Sequence, residues 1–356
     1  IYLYLQEKGI EDYHKVLSEA EKFYKEKAFM IYSMDLSGIQ DFIYTITSKG
    51  ALKGLRARSF YLEIMMEHMI DELLERLFLA RTNLLYSGGG HCYLLLPNTR
   101  EAKEQCTAFE KEINQWFLET FQTNLFAGCG FAECSAADLK NHPNGSYQEI
   151  FRTITRQISE RKMNRYTYQD LLYLNEKEQV PGERECKVCR RTDLLREDNQ
   201  CEICWALEQM AVQIMENRFF VISSEKKGIS LPLPLGCHLT TEKREEDVRQ
   251  RMKEDPSFIR AYGKNKLNAG CSAAAKLWIG DYHYKTGCSF QDLADCAQGI
   301  ERIAVLRADV DNLGEAFVSG FANEENHNKY VTLSRTSAFS RKLSLFFKYH
   351  INHLLE

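Results

Sequence analysis

The chain has 356 residues and a mass of 41.4 kDa, with 46 basic against 50 acidic side chains and a formal net charge of −4. At about 150 residues per domain the length predicts two or three domains, and a near-neutral balance excludes a protein that coats nucleic acid or a membrane surface by bulk charge. A hydrophobic content of 44% with only 6 Pro excludes a mostly disordered or collagen-like chain, and no apolar run approaches the ~18 residues of a membrane span.

Residues 10–28 carry a helical pattern, with Tyr13, Leu17, Ala20 and Tyr24 on one face. The run 29–36 (FMIYSMDL) predicts a buried strand closed by a turn at Asp35, Leu36, Ser37 and Gly38, and residues 39–47 predict a short helix. A basic segment with Lys49, Lys53, Arg56 and Arg58 then leads into a long helix. Its Leu62, Met66, Met69, Leu73 and Leu77 recur at steps of three or four, a core-facing stripe. Two apolar runs, NLLYS and CYLLL, flank Gly88-Gly89-Gly90-His91 and predict a β-hairpin. Residues 100–121 read as a helix and 123–134 as a strand interrupted by glycines. The order β-α-β-β-α-β over 29–134 predicts an α+β, ferredoxin-like domain, a fold that serves many functions, so the site has to decide.

Residues 146–173 read as helical and concentrate Arg152, Arg156, Arg161, Lys162 and Arg165. A strand pair is predicted at 218–223 and 229–235, a solvated charged helix at 241–255, a strand within 273–284 and a helix near 289–299. The run 302–310 (RIAVLRADV) predicts a second buried strand ending in the turn Asp309-Val310-Asp311-Asn312-Leu313-Gly314. A short amphipathic helix and a long one over 328–355 follow. The domain reading is a helical lead-in (1–28), a first ferredoxin-like domain (29–145), and a helical region (146–216) with a cysteine segment at 186–204. A β region (217–300) and the first part of a second such domain (301–356) complete it. MDLSGIQDFIY (34–44) and ADVDNLGEAFV (308–318) form an approximate internal repeat of strand, strand-end Asp, turn and helix.

Twelve cysteines scattered through a Lys/Glu-rich chain fit reduced thiols in the cytoplasm better than a disulfide framework. Cys186-Lys-Val-Cys189 and Cys201-Glu-Ile-Cys204 are two C-x2-C knuckles separated by eleven residues. Four thiolates give the tetrahedral all-sulfur shell that zinc prefers and leave no open position for catalysis, so the reading is structural Zn2+. A redox pair or chance clustering are the alternatives. The other eight cysteines, among them Cys129, Cys134, Cys271 and Cys288, lack such spacing and are expected to be small buried residues. Neither His91-Cys92 nor Cys237-His238 has supporting context as a Cys–His nucleophile.

Asp309 and Asp311 are candidate catalytic carboxylates for Mg2+ or Mn2+. Enzymes that join nucleotides use paired carboxylates to hold divalent ions across the triphosphate oxygens and the attacking hydroxyl. An Asp that merely caps the next helix is the alternative. Asn312 and Gly314 in the same turn are candidate nucleotide contacts, as are Asp35, Ser37 and Gly38 at the equivalent place in the first copy, and Gly88, Gly89 and Gly90 at the hairpin tip. That hairpin tip carries no carboxylate, so the first copy is expected to bind rather than catalyse.

Taken in order, MDLSGIQDFIY, LRARSFYLE (55–63), LLYSGGGHCYLLLP (84–97), the paired knuckles and VLRADVDNLG (305–314) resemble the large subunit of type III-A CRISPR effector complexes. The resemblance implies two palm domains related to nucleotidyl cyclases and a zinc-binding segment between them. It also implies, in the family, an HD nuclease domain that cleaves single-stranded DNA and a C-terminal helical domain. In the family, the second palm bears a GGDD hairpin that holds divalent metal and converts ATP into cyclic oligoadenylate when target RNA is bound. Residue by residue, it implies Asp309 as the strand-end metal carboxylate and Asp35, Ser37 and Gly38 as the nucleotide-facing turn. Gly88, Gly89 and Gly90 match a degenerate hairpin, and the four cysteines match the zinc ligands. ATP is the implied substrate, and guide RNA, target RNA and neighbouring effector subunits are the implied partners. Neither an HD pair nor a GGDD motif occurs in these 356 residues. The chain is therefore expected to be an internal piece of a longer protein, one that does not make cyclic oligoadenylate by itself. The competing readings are a non-catalytic scaffold that binds guide RNA and neighbouring subunits, and a zinc-containing regulatory protein with one ferredoxin-like domain.

Overall fold

The structure is a computed structural model that describes residues 1–47, 50–176, 185–191, 195–265, 272–280, 289–305, 310–351 and 354. Helices α1 (Tyr2–Glu7), α2 (Tyr13–Ser18) and α3 (Ala20–Lys25) precede strand β1 (Phe29–Ser37). The single helix predicted over 10–28 is two, because the backbone leaves the helical region at Glu19 (φ −102°, ψ 29°). Val16 and Phe23 thereby both reach a small apolar cluster around Tyr4, Leu5 and Ala28, while Leu17 is left in solvent. β1 continues through Asp35, Leu36 and Ser37 where a turn is predicted; the turn is confined to Gly38, whose φ of 87° suits only glycine well.

Helix α4 (Ile39–Tyr44) is three residues shorter than its predicted span to 47, and α5 (Ala51–Arg76) begins inside the basic segment, so Lys53, Arg56 and Arg58 are helical. Lys49 lies outside the described residues. The stripe Leu62, Met66, Met69, Leu73 and Leu77 is buried along its whole length. The hairpin β2 (Leu84–Gly88) and β3 (His91–Pro97) is followed by α6 (Arg100–Phe121), β4 (Phe126–Cys134) and α7 (Ser146–Met163). The helix predicted over 146–173 breaks at Asn164 and resumes as α8 (Tyr168–Glu176), where the Thr167 hydroxyl accepts from the Asp170 amide and Asp170 accepts from the Thr167 amide. Next come α9 (Glu202–Glu216), β5 (Phe219–Ser223), β6 (Leu231–Leu233), β7 (Cys237–Glu242), α10 (Glu245–Glu254), β8 (Phe258–Lys264), β9 (Ala275–Leu277) and α11 (Phe290–Ala294). Helices α12 (Leu313–Ser319) and α13 (Leu333–Leu345) follow; where a long helix over 328–355 is predicted, α13 begins at Leu333 and gives way to a π-helical turn at Phe346–His350, and 352, 353 and 355 lie outside the described residues. Among the described residues, no helix is long and apolar enough to cross a membrane.

The chain divides into two units, Ile1–Ser37 with Met66–Asp170 and Ala308–Ser344, and Gly38–Met65 with Leu171–Arg307 and Leu345–Glu356. The first is built on a four-stranded sheet of order β2-β3-β1-β4, antiparallel throughout, with β-α-β-β-α-β connectivity. On one face, Met30, Tyr32 and Met34 are fully buried, and α6, capped by the Thr99 hydroxyl, packs against β4. On the other, α7 lays Tyr147, Ile150, Ile154 and Ile158 against Ile31, Ala132 and Cys134. The glycines of β4 do not interrupt it; they admit α7, since a Cβ on Gly130 would stand 2.9 Å from the Ile154 carbonyl oxygen. β4 is the sheet's outer strand, and side chains occupy its outward backbone groups. Asn114 of α6 accepts from the Ala127 amide at 2.8 Å and donates to the Ala127 carbonyl at 2.9 Å, and Gln157 of α7 accepts from the Phe131 amide at 2.9 Å.

The second unit has a five-stranded sheet of order β6-β7-β5-β8-β9. The two strands predicted as a pair, β5 and β6, do not touch; the unpredicted β7 lies between them. A tight connection with Leu235 (φ 64°) and Gly236 (φ 72°) folds β7 directly back on β6. Val248 of α10 buries against Phe219, Val221 and Ala261 on one face of this sheet. Of the predicted strand within 273–284 only β9 is extended among the described residues, and 281–284 lie outside them. Of the predicted strand 302–310, residues 302–305 are not in a strand and Val305 is 90% exposed, while 306–309 lie outside the described residues.

Candidate nucleotide site and cysteine centre

The C-terminal end of β1 brings Asp35 opposite His91, the first residue after the glycine hairpin. Gly89 (φ 62°) and Gly90 (φ 79°) make the left-handed two-residue connection that such a hairpin needs, and the Gly90 carbonyl accepts from the Leu36 amide at 2.8 Å. Hence the hairpin tip and the Asp35–Ser37 end of β1 are hydrogen-bonded neighbours. Lys162, from the last turn of α7, places Nζ 2.8 Å from Asp35 Oδ2, and His91 Nδ1 lies 3.5 Å from the same oxygen. Burial pushes the Asp35 carboxyl up, but the hydrogen bonds from His91 and Lys162 outweigh it and hold the group below its ordinary value. The first-copy carboxylate is thus already offset by the chain's own Lys162 ammonium. His91 Nε2 also lies 3.2 Å from Ser33 Oγ. Ser33, His91 and Asp35 have the order of a nucleophilic triad, but Ser33 is wholly buried, so no substrate carbonyl can reach it and the set is a positioning network.

Beside this network is a cavity of about 620 Å3, within the roughly 300–1,000 Å3 range of small-molecule sites. Tyr86, His91 and Tyr93 of the hairpin form one wall, Phe151, Arg152 and Thr155 of α7 a second, and Leu313, Gly314 and Phe317 of α12 a third. Aromatic rings and an exposed guanidinium in one concavity suit a flat base joined to an anion. Of the candidate nucleotide residues, Gly314 lines this cavity. Asn312, at φ 52°, makes the left-handed step into α12, as Gly38 does into α4, so the two halves of the sequence repeat share their turn geometry. Asp311 is exposed, and Asp309 lies outside the described residues.

The second cluster is in the other unit. The Sγ atoms of Cys186, Cys189, Cys201 and Cys204 all lie within 4.8 Å of one another, and those of Cys189 and Cys201 are 3.6 Å apart. A tetrahedral centre with bonds of about 2.3 Å sets its sulfurs about 3.8 Å apart, so the spacing fits. Backbone amides also turn inward, Cys201 N donating to Cys186 Sγ at 3.3 Å and Cys204 N to Cys201 Sγ at 3.4 Å. Hydrogen bonds from Cys201 and Cys204 lower the Cys189 thiol to about 2, while the same contacts push the Cys201 thiol up to about 12 and Cys204 further up. Elsewhere, Cys92, Cys106, Cys129, Cys134 and Cys237 are buried as expected, but Cys296, just past the end of α11, is exposed; burial raises the Cys92 thiol to about 12, and Cys271 and Cys288 lie outside the described residues.

Lys162, His91 and the aromatic wall had no assigned role in the sequence. One signal was present: Lys162 continues the α7 stripe Ile150, Ile154, Ile158 at the same four-residue step, which marks a cation with a partly buried partner.

Known proteins are consistent with this arrangement. The family described as Csm1 subunit domain B matches residues 28–177, and the Cas10/Cmr2 second palm domain matches residues 302–356. The CRISPR system single-strand-specific deoxyribonuclease Cas10/Csm1 (subtype III-A) of Mycobacterium tuberculosis is 45% identical over the whole chain, and that of Enterococcus italicus is 39% identical. The chain spans a little under half of those relatives, 45% and 47% of their lengths. A Csm1–Csm4 cassette in complex with pppApA superposes with a TM-score of 0.71 at 22% identity, over 99% of this chain and 43% of that one. Over the length it spans, the chain belongs to the Cas10/Csm1 family of subtype III-A CRISPR large subunits.

Proposed function

We propose that this chain carries the first palm, a zinc-stapled segment and the start of the second palm of a type III-A effector large subunit. The whole protein then converts ATP into cyclic oligoadenylate when target RNA is bound. The four-stranded β-α-β-β-α-β sheet is read as a ferredoxin-like palm over 29–145, the four-cysteine cluster within 146–216 as a structural zinc site, 217–300 as the β region and 301–356 as the second palm's beginning. The observation that carries the reading is the cavity between the glycine hairpin, α7 and α12, whose aromatic walls and Arg152 suit an adenine nucleotide. The relative crystallised with pppApA, two joined adenylates bearing a triphosphate, supports the same ligand chemistry.

In this mechanism Asp35, Ser37, Gly38 and the hairpin glycines belong to a binding half. Asp35 is held by Lys162 and His91, which leaves it no free charge for a divalent ion. Asp309 and Asp311 are the proposed carboxylates for Mg2+ or Mn2+, which would neutralise the triphosphate and activate the attacking 3′-hydroxyl. Asn312 and Gly314 shape the approach to them. Positioning and charge neutralisation supply most of the rate in phosphoryl transfer, so a neutralised first copy and an acidic second copy divide the labour sensibly. Cytoplasmic location, neighbouring effector subunits, guide RNA and target RNA belong to the same proposal.

The test is to assemble the full-length protein in its complex, add target RNA, ATP and Mn2+, and resolve products by chromatography. Cyclic oligoadenylate is expected from the wild type and not from Asp309→Ala. A complex that binds target RNA normally yet yields no such product would refute catalysis and favour the scaffold reading.

A further inference from the structure

Arg58, on α5, is a cation buried to 3% exposure. Among the described residues its guanidinium meets no carboxylate. One terminal nitrogen donates to Cys204 Sγ at 3.1 Å, the other donates to the Phe42 carbonyl at 3.2 Å, and the group stands 4.9 Å from the centre of the Phe42 ring. A protonated thiol is a weak acceptor, and a buried guanidinium without a counter-charge is strongly unfavourable. Four thiolates around a divalent cation carry an excess charge of −2, which gives Arg58 the partner it otherwise lacks. The Phe42 carbonyl lies in the last turn of α4, where the helix dipole favours a cation.

We infer that Arg58 is the outer-shell positioning residue of the four-cysteine centre, offsetting its charge through Cys204 and fastening helix α4, which follows the Gly38 turn, through Phe42. The inference rests on the zinc reading. It makes the order of α4 depend on the centre, because the same buried guanidinium that reaches Cys204 Sγ also holds the Phe42 carbonyl. Such outer-shell partners typically change metal affinity by about 10- to 100-fold.

The experiment uses the full chain, with zinc content measured by mass spectrometry, zinc release followed with a chromogenic chelator, and hydrogen–deuterium exchange read over residues 39–44. Wild type is expected to hold one zinc, and chelation is expected to raise exchange in 39–44. Arg58→Met is expected to release zinc about 10- to 100-fold faster and to show raised exchange there even when loaded. Arg58→Lys keeps the charge but not both arms of the fork, so it is expected to retain zinc more firmly than Arg58→Met while still losing protection at 39–44. If Arg58→Met does not fold, Arg58→Lys decides. Zinc release within twofold of wild type together with unchanged exchange in the folded variant would overturn the inference while leaving the zinc reading intact. A wild-type chain with well under one zinc would overturn both.

Discussion

Replacing Lys162 by Met removes the ammonium 2.8 Å from Asp35 while keeping most of the side chain's length and its stem packing. Both partners are about 30% exposed, at 28% for Lys162 and 30% for Asp35, so the pair lies between the exposed and buried limits. Exposed pairs contribute about 0–1 kcal/mol and hydrogen bonds to charged groups about 1.5–3 kcal/mol, which places the expected loss at pH 7 at about 1–2 kcal/mol. The pH dependence gives a sharper signature. In the wild type the folded-state pKa of Asp35 is depressed below 3.8, so its contribution is complete above that value and disappears only as pH falls through the lower, folded one. In Lys162→Met the ammonium's contribution is lost while His91 remains, so the folded-state value rises from its wild-type position and the variant takes up a proton on Asp35 at a pH where the wild type does not. The stability gap therefore narrows as the solution is acidified through the variant's folded-state value. Urea midpoints at several pH values, with Lys162→Arg as a charge-keeping control, measure this directly. A gap that stays constant with pH, or a loss below ~0.5 kcal/mol at pH 7, would show that Lys162 does not hold Asp35.

Gly130→Ala pushes a methyl group to 2.9 Å from the Ile154 carbonyl and 3.1 Å from Gln157 Cβ, so urea denaturation is expected to show a loss of about 1–3 kcal/mol as α7 is forced off β4. Gly314→Ala meets nothing within 4 Å and sits inside α12, so the melting temperature is expected to hold or rise slightly. Because Gly314 lines the cavity, the same variant is expected to bind a fluorescent ATP analogue more weakly, and unchanged affinity would detach the cavity from nucleotide binding. Lys264, buried at 8% exposure, donates to the Ile214 and Met215 carbonyls at 3.1 and 2.9 Å, closing the end of α9. Lys264→Met is expected to lower stability by about 1–3 kcal/mol, and a calorimetric trace superimposable on wild type would refute that capping role.

Legibility in the sequence followed the range of the interaction responsible. Helix α6 matches its predicted span, 100–121, residue for residue, because the Thr99 cap and the buried stripe through Phe109, Ile113 and Phe117 are local instructions. The cysteine knuckles were readable for the same reason, as two short spacings whose four sulfurs the fold gathers within 4.8 Å of one another. β7 was not, since CHLTTE alternates only weakly and its strand character comes from being enclosed between β6 and β5. The charged residues that organise both sites were the hardest to read. Arg58 stands four residues before Leu62 on the α5 stripe, and Lys162 four after Ile158 on the α7 stripe. A charge at such a place reads as the end of the buried face, whereas here it carries that face onward to a partner distant in sequence.

The treatment of the β4 edge has a consequence for how this sheet is made. A bare outer strand is a template onto which any extended chain can add, including a second copy of itself. Asn114 and Gln157 act as two detached fragments of a neighbouring strand, filling the outward positions at Ala127 and Phe131 without offering a further edge. Asn114 precedes β4 in the chain, but Gln157 follows its Phe131 partner by 26 residues. During synthesis the Phe131 end is therefore exposed to self-association until α7 has been made and docked. Once it has, the outward positions at Ala127 and Phe131 are taken, and β2, at the opposite side of the sheet, is the outer strand to which a further chain could still add.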